Sequence, residues 1–137
     1  MDPNEIFARS VWSLLPDEED TRWVRSMAAR PLNVTQPCGD EGALIKRMLD
    51  CGLSEYEIAR FAKLVSYEVA FGLTYMLGDA GAGIEGMKRD RIDWALFVTG
   101  TSSDDPKERM YGMHELLLQL DPSGREMCPR SNDRSTT

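Results

Sequence analysis

A glycine-rich segment is the part of this sequence that most closely matches a chemical motif. Gly81, Gly83 and Gly86 have the spacing G-x-G-x-x-G, and Lys88 follows two residues later. In dinucleotide-binding folds such glycines let the turn between a strand and a helix approach a pyrophosphate. Here the preceding segment has the pattern of a helix, and no alternation of strands and helices surrounds it. A phospholigand-binding protein or enzyme that uses residues 81–86 is therefore an alternative to a flexible connection.

Few other side chains could do chemistry. His114 is the single histidine, which excludes motifs with several histidines, such as H-E-x-x-H. Cys38, Cys51 and Cys128 are an odd number without C-x-x-C spacing, so neither a disulfide framework nor a zinc site is predicted. Cys51 lies in an apolar stretch and is expected to be a small core residue. We predict no catalytic constellation, no metal site and no cofactor, and hence a protein that is not an enzyme.

Acidic residues dominate the charge of the chain. It has 23 Asp and Glu against 16 Lys and Arg, a formal net charge of −7. This balance opposes binding to nucleic-acid phosphates and to anionic membranes, and it favours attraction to basic surfaces. Asp17, Glu18, Glu19 and Asp20 form a continuous acidic run. The run is either a solvated face at the start of a helix or a docking surface for a basic partner.

Two tryptophans flank the acidic run and extend the docking hypothesis. Tryptophan is enriched among the residues that carry most of the binding energy at protein interfaces. Trp12 precedes the run and Trp23 follows it. The predicted partner-binding residues are Asp17, Glu18, Glu19, Asp20, Trp12 and Trp23.

Length and composition fit one folded domain. The 137 residues are 42% hydrophobic, which is sufficient for a core. We expect a single helical domain over residues 1–127 and a polar, flexible tail over 128–137. No apolar run approaches the roughly 20 residues that span a bilayer, and the N-terminus lacks the order of a signal peptide. The expected protein is soluble and cytoplasmic.

Apolar periodicity and end signals predict the helices. The clearest signal is the capping box of Ser54 and Glu57, with Leu53 and Ile58 placed as a hydrophobic staple. Gly52 is expected to end the preceding helix, because glycine adopts a left-handed backbone at little cost. The second half of the helix that Ser54 opens is apolar nearly all round, which predicts a buried central helix. The expected helices are 4–15, a short one beginning at 17–20, 41–51, 55–77 and 114–120.

The segment 92–99 has two interpretations. Alternation favours a strand, and it rests on Ile92, Trp94, Leu96 and Val98. A helix from 87 to 98 is the competing interpretation, because Trp94, Ala95 and Val98 also share a helical face. A partner strand near 110–112 would complete a hairpin. The predicted fold is mainly α: a single compact domain of four or five helices around one long central helix, with a small β-hairpin in the C-terminal third.

Residues 52–77 resemble a helix-turn-helix segment in their order of residue types, which begins with Gly52, Leu53 and Ser54. The resemblance implies a DNA-binding regulator whose second helix, 67–77, enters the major groove. The turn glycine of such segments is replaced here by Lys63, and residues 67–77 contain Glu68 and no Lys or Arg. DNA reading requires basic and polar donors on that helix. A regulator of this kind is therefore an alternative, and no nucleic-acid partner is expected.

These observations favour a small acidic, non-catalytic protein that acts by binding a macromolecular partner. Its most concrete form is an immunity-type or inhibitor-type antagonist of a protein with a basic surface. Carboxylates would compete for the basic cleft of the target, and aromatic side chains would supply desolvated anchors. The sequence leaves homo-oligomerisation open.

Overall fold

The computed structural model describes residues 2–78, 94–99 and 106–130. These ranges contain five helices and two strands: α1 (Pro3–Trp12), α2 (Arg22–Ala28), α3 (Glu41–Asp50), α4 (Glu55–Gly78), β1 (Leu96–Thr99), β2 (Pro106–Met110) and α5 (Met113–Gln119). The predicted class, mainly α with a small antiparallel hairpin in the C-terminal third, is confirmed. The glycine-rich segment 81–86, Lys88 and most of the predicted tail lie outside the described residues.

Two compact units make up the chain. One unit consists of Met1–Leu14 together with Glu68–Thr137, and we call it the terminal unit. The other, Leu15–Tyr67, is called the central unit. Helix α4 gives its first half to the central unit and its second half to the terminal unit.

The core of the central unit joins α2, α3 and the start of α4. Val24, Ile45, Ile58 and Ala59 are buried together there. Trp23, Met27, Ala28 and Leu49 pack around them and are partly buried. This core requires a glycine where α3 approaches the end of α2, because a Cβ atom on Gly42 would lie 2.4 Å from the carbonyl oxygen of Met27.

The junction between α3 and α4 follows the local signals of the sequence. Gly52 has φ +98°, its N–H donates to the Leu49 carbonyl at 3.0 Å, and the N–H of Leu53 donates to the Met48 carbonyl at 3.2 Å. These two bonds form a Schellman motif, so the predicted cap at Gly52 is confirmed. Cys51, the residue before it, is exposed. The expectation that Cys51 is a core residue is wrong, because it lies on the solvent side of this helix end.

The capping box at the start of α4 is also confirmed. The N–H of Glu57 donates to Ser54 Oγ at 3.1 Å, and the N–H of Ser54 donates to Glu57 Oε2 at 2.7 Å. Helix α4 then runs to Gly78, one residue beyond the predicted end. The segment 52–77 therefore contains one uninterrupted helix from 55 onward, without the internal turn that the helix-turn-helix alternative requires.

Glu57 makes the start of α4 sensitive to acid. The bonds from the backbone N–H and hydroxyl of Ser54 lower the pKa of Glu57 from its ordinary value of 4.5. The Glu57 carboxylate thus binds a proton less readily in the folded chain than in the unfolded chain. The contribution of the capping box to the free energy of unfolding is therefore fully present above about pH 4.5 and is lost as the pH falls through the lowered pKa. We expect Glu57→Gln to be less stable than the wild type at neutral pH, with a difference that shrinks on acidification. Urea unfolding at a series of pH values measures this difference, and a gap that widened towards low pH would contradict the assignment.

The terminal unit packs α1 against α5. Trp12 of α1 and Met113 and Leu117 of α5 are buried. Trp12 Nε1 donates to the carbonyl oxygen of Leu117 at 2.8 Å, which joins the two helices by a buried hydrogen bond. Helix α1 ends at Trp12, three residues before the predicted end at 15. Its last turn is closed by Ser13, whose hydroxyl donates to the Ser10 carbonyl at 2.6 Å.

The hairpin confirms the strand interpretation for residues 96–99. Strands β1 and β2 are antiparallel, Leu96 lies opposite Met110, and the register shifts between Val98 and Thr99. The partner strand begins at 106 and ends at 110, earlier than the predicted 110–112. Trp94, just before β1, donates from Nε1 to the Met76 carbonyl of α4 at 2.7 Å. This bond ties the hairpin to the last turns of α4.

The second half of α4 departs from the prediction. Its two fully buried residues, Ala70 and Thr74, are small or polar, whereas Val69 is 68% exposed and Leu73 is 51% exposed. The expectation that this half is enclosed on all sides is therefore wrong. Small side chains suit a close approach of neighbouring elements on one side, and the large apolar side chains are left on the other.

Candidate functional site

The predicted docking run, residues 17–20, lies between α1 and α2, and one of its four carboxylates turns inward. Glu18 is 1% exposed. Its Oε1 lies 3.2 Å from Lys63 Nζ, and its Oε2 lies 3.1 Å from Arg60 Nη1. Both cations belong to α4, and Lys63 is itself 4% exposed. Glu18 is therefore a buried ion-pair residue and does not form part of an acidic surface.

The cluster of Glu18, Arg60 and Lys63 has a structural role. Removing charges from water costs several kcal/mol per ion, and close pairing with hydrogen bonds offsets that cost. One carboxylate shared between two cations meets this requirement and fixes the α1–α2 connection against α4. The cluster also uses both basic side chains of α4.

The exposed acids of the run are partly neutralised. Asp20 accepts bonds from Arg22, at 2.8 Å from Nε to Oδ1 and at 2.5 Å from Nη2 to Oδ2. These side-chain bonds, together with one from the Arg22 backbone N–H, lower the pKa of Asp20 to about 2. Asp17 Oδ1 accepts from the N–H of Glu19 at 2.8 Å. Asp20 is therefore ionised at neutral pH, but the adjacent guanidinium reduces the field that a basic partner would sense.

Neither candidate tryptophan is a free surface anchor. Trp12 is 7% exposed, and its N–H is bonded to the Leu117 carbonyl. Trp23 is half-buried against the central core, and its Nε1 donates to the Asp17 carbonyl at 2.7 Å. Trp12 belongs to the terminal unit, and Trp23 and the acidic run belong to the central unit. Two of the six predicted partner-binding residues, Trp12 and Glu18, are thus buried.

Helix α4 instead presents an exposed apolar face. Phe61, Val65, Val69 and Leu73 recur every fourth residue and are 62%, 45%, 68% and 51% exposed. We call these four residues the α4 stripe. Residues four apart lie on one face of a helix, so the stripe is continuous along α4. Exposed apolar patches of a few hundred Å² commonly mark sites of protein–protein interaction.

The sequence contained a signal for this face, although the prediction missed it. Large apolar residues alone suggested burial, but four of the five buried positions of α4 are small or polar: Ala59, Lys63, Ala70 and Thr74. Ile58 in the first turn is the one large apolar residue among the five, so beyond that turn small and polar residues face inward and the residues of the α4 stripe face outward. The spacing of residue size around α4, rather than its mean apolarity, would have predicted the α4 stripe.

The lone histidine is half-buried and contacts two aromatic rings. The His114 ring meets Phe71 and Tyr75 edge to face, with centroids 5.3 Å and 4.7 Å away. His114 Nδ1 is buried and has no hydrogen-bond partner in the part of the chain that the structure describes. The arrangement packs α4 against α5 through its rings. Cys38, Cys51 and Cys128 are all exposed.

A cavity of about 330 Å³ lies in the central unit beside the first turn of α3. Arg30, Asn33, Cys38 and Glu41 contribute to its lining. Arg30 Nη1 lies 3.7 Å from Glu41 Oε2, so these opposite charges are already paired. Within residues 2–78, 94–99 and 106–130, no cluster of three or more His, Cys, Asp or Glu side chains could hold a metal ion.

Comparison with known proteins yields no relative. No protein-family model, curated protein or solved structure matches the chain. Over the described residues, none of the helices has both the length and the apolar character needed to cross a membrane.

Proposed function

We propose that this protein is a non-catalytic binding protein that docks a protein partner through the exposed face of α4. The observation that carries the proposal is the α4 stripe, in which Val69 is the most exposed member at 68%. Burying a large apolar side chain stabilises a complex by roughly 1.5–3 kcal/mol. Four such side chains in one row supply the apolar centre that a specific interface needs.

The acidity of the chain supports an antagonist of a basic target as the concrete form of this function. The net charge of −7 attracts basic surfaces over distances longer than a contact. Glu57 and Glu68 are exposed on α4 itself, so carboxylates accompany the α4 stripe. The proposed surface differs from the one predicted at residues 17–20, where pairing with Arg22, Arg60 and Lys63 reduces the available charge.

Site-specific photocrosslinking tests this proposal without assuming the partner. A benzophenone amino acid replaces Val69 in the full chain, which is then expressed in its natural host and irradiated. We expect one discrete covalent adduct with another protein, because Val69 projects from the α4 stripe.

The matched control places the same photoreactive residue at Val34, which is 85% exposed in the loop before α3. That position shares the exposure and residue type of Val69 but lies outside the α4 stripe. Absence of an adduct at Val69, or the same adducts from both positions, would overturn the proposed docking surface.

A further inference from the structure

We infer that the partner docks on α4 with an amphipathic helix whose apolar row is bordered by Lys or Arg side chains. This inference rests on the proposed function and specifies the chemistry of the partner. Its first support is shape. The α4 stripe extends over 13 residues from Phe61 to Leu73, and its ends are about 18 Å apart along the helix. A second helix packed at the usual 8–10 Å covers such a row with its own residues at three- and four-residue spacing.

Gly72 provides room for close approach between the two helices. It is exposed on α4 between Val69 and Leu73, and a Cβ atom added there would meet no atom within 4 Å. A small residue within an apolar row allows the backbone of a neighbouring helix to come near.

The charge distribution of α4 indicates which side chains should border the apolar row of the partner helix. Glu57 and Glu68 are exposed, whereas Arg60 and Lys63 are directed to Glu18 and held there at 3.1 Å and 3.2 Å. Glu68 thus offers a carboxylate beside the α4 stripe, and Glu57 adds negative charge at the helix start, where it is bonded to Ser54. The two cations of α4 stay on the side of Glu18. Opposite charges at the rim of an interface steer association and fix register, which favours Lys and Arg on the partner.

The same charges argue against a second copy of the chain, or an anionic membrane, as the partner that covers the α4 stripe. Two copies carry −7 each, and a two-fold pairing of α4 would bring the two Glu68 side chains towards one another. Anionic lipid surfaces attract basic segments and repel carboxylates.

A pair of synthetic helical peptides tests the inference. Both peptides carry Leu at the apolar positions of an 18-residue amphipathic helix, and the remaining positions are Lys in one and Glu in the other. The full-length protein is titrated with each peptide by calorimetry at low and high salt. We expect the Leu/Lys peptide to bind at least tenfold more tightly than the Leu/Glu peptide, with an advantage that shrinks as salt rises.

Variants of exposed residues locate the binding. Val69→Ser combined with Leu73→Ser is expected to weaken the Leu/Lys peptide about tenfold, and Val34→Ser is the control that leaves it unchanged. Glu68→Gln is expected to reduce the salt dependence. Equal affinity for both peptides, or equal weakening by the control, overturns the inference. So does a stable dimer of the free chain that Leu73→Glu dissociates.

Failure of the inference can be told apart from failure of the proposed function. If the Val69 adduct forms but its partner site lacks a basic helix, the docking surface stands and the stated chemistry is overturned. If no adduct forms at Val69, the docking function itself is overturned, whatever the peptides do.

Discussion

Replacing Glu18 by Ala is expected to lower the free energy of unfolding by about 3–5 kcal/mol. The substitution removes the carboxylate that Lys63 and Arg60 share, and with it the ion pair of the Lys63 ammonium, which is 4% exposed. Breaking one side of a buried ion pair is far more costly than removing a surface pair, because the remaining charge keeps its desolvation penalty. Urea denaturation followed by circular dichroism measures the loss.

Two further variants make this expectation specific. Glu19→Ala removes the neighbouring exposed carboxylate and is expected to cost about 0–1 kcal/mol. The double variant Glu18→Leu with Lys63→Met replaces the closest pair by apolar groups and is expected to recover much of the stability, since Arg60 can extend towards solvent. If Glu18→Ala were no more costly than Glu19→Ala, the buried cluster would not have the stabilising role that we assign to it.

Replacing Trp12 by Ala is the second substitution with a large expected effect, about 3–5 kcal/mol. Trp12 fills the space between α1 and α5 in the terminal unit, and its N–H satisfies the Leu117 carbonyl at 2.8 Å. Loss of the ring creates a cavity and also removes a buried hydrogen bond. Because α1 contributes only Ala8 besides Trp12 to the buried core, little else holds it in place.

Graded substitutions separate packing from hydrogen bonding at Trp12. Trp12→Phe keeps most of the apolar volume but loses the hydrogen-bond donor. It is expected to lower the free energy of unfolding by less than Trp12→Ala does, because the cavity that it leaves is smaller. Leu14→Ala, at a residue that is 83% exposed, is the control and should leave thermal and urea unfolding almost unchanged. An effect of Trp12→Ala on partner affinity with no effect on unfolding would show that Trp12 is an interface anchor after all.

Local signals in the sequence were sufficient for the helix ends between α3 and α4. Gly52, Ser54 and Glu57 act on backbone groups within a few residues, so their spacing alone predicted the glycine cap of α3, the capping box and the start of α4. The strand of residues 96–99 was one of two predicted alternatives, since Trp94 and Val98 fit both periods. The Trp94 bond to Met76 is a tertiary contact, and periodicity does not reveal such contacts.

The candidate site depended on partners that are distant in the sequence. Glu18 is one of four consecutive acids, and nothing local distinguishes it from Glu19. Its burial follows from Arg60 and Lys63, more than 40 residues later. The exposure of Phe61 and Val69 likewise depends on which side of α4 the other elements cover. Periodicity and helix-end signals thus predicted the fold class, whereas the exposed surface follows from tertiary contacts.

The α4 stripe also has a consequence for the isolated protein in solution. An exposed row of apolar side chains favours aggregation of free molecules, and electrostatic repulsion between the negatively charged molecules opposes it. That repulsion disappears near the isoelectric point, about pH 4.7, and is weakened by concentrated salt. The negative charge of the chain therefore limits aggregation. We expect the protein to remain dispersed in buffers above that pH and at low to moderate ionic strength.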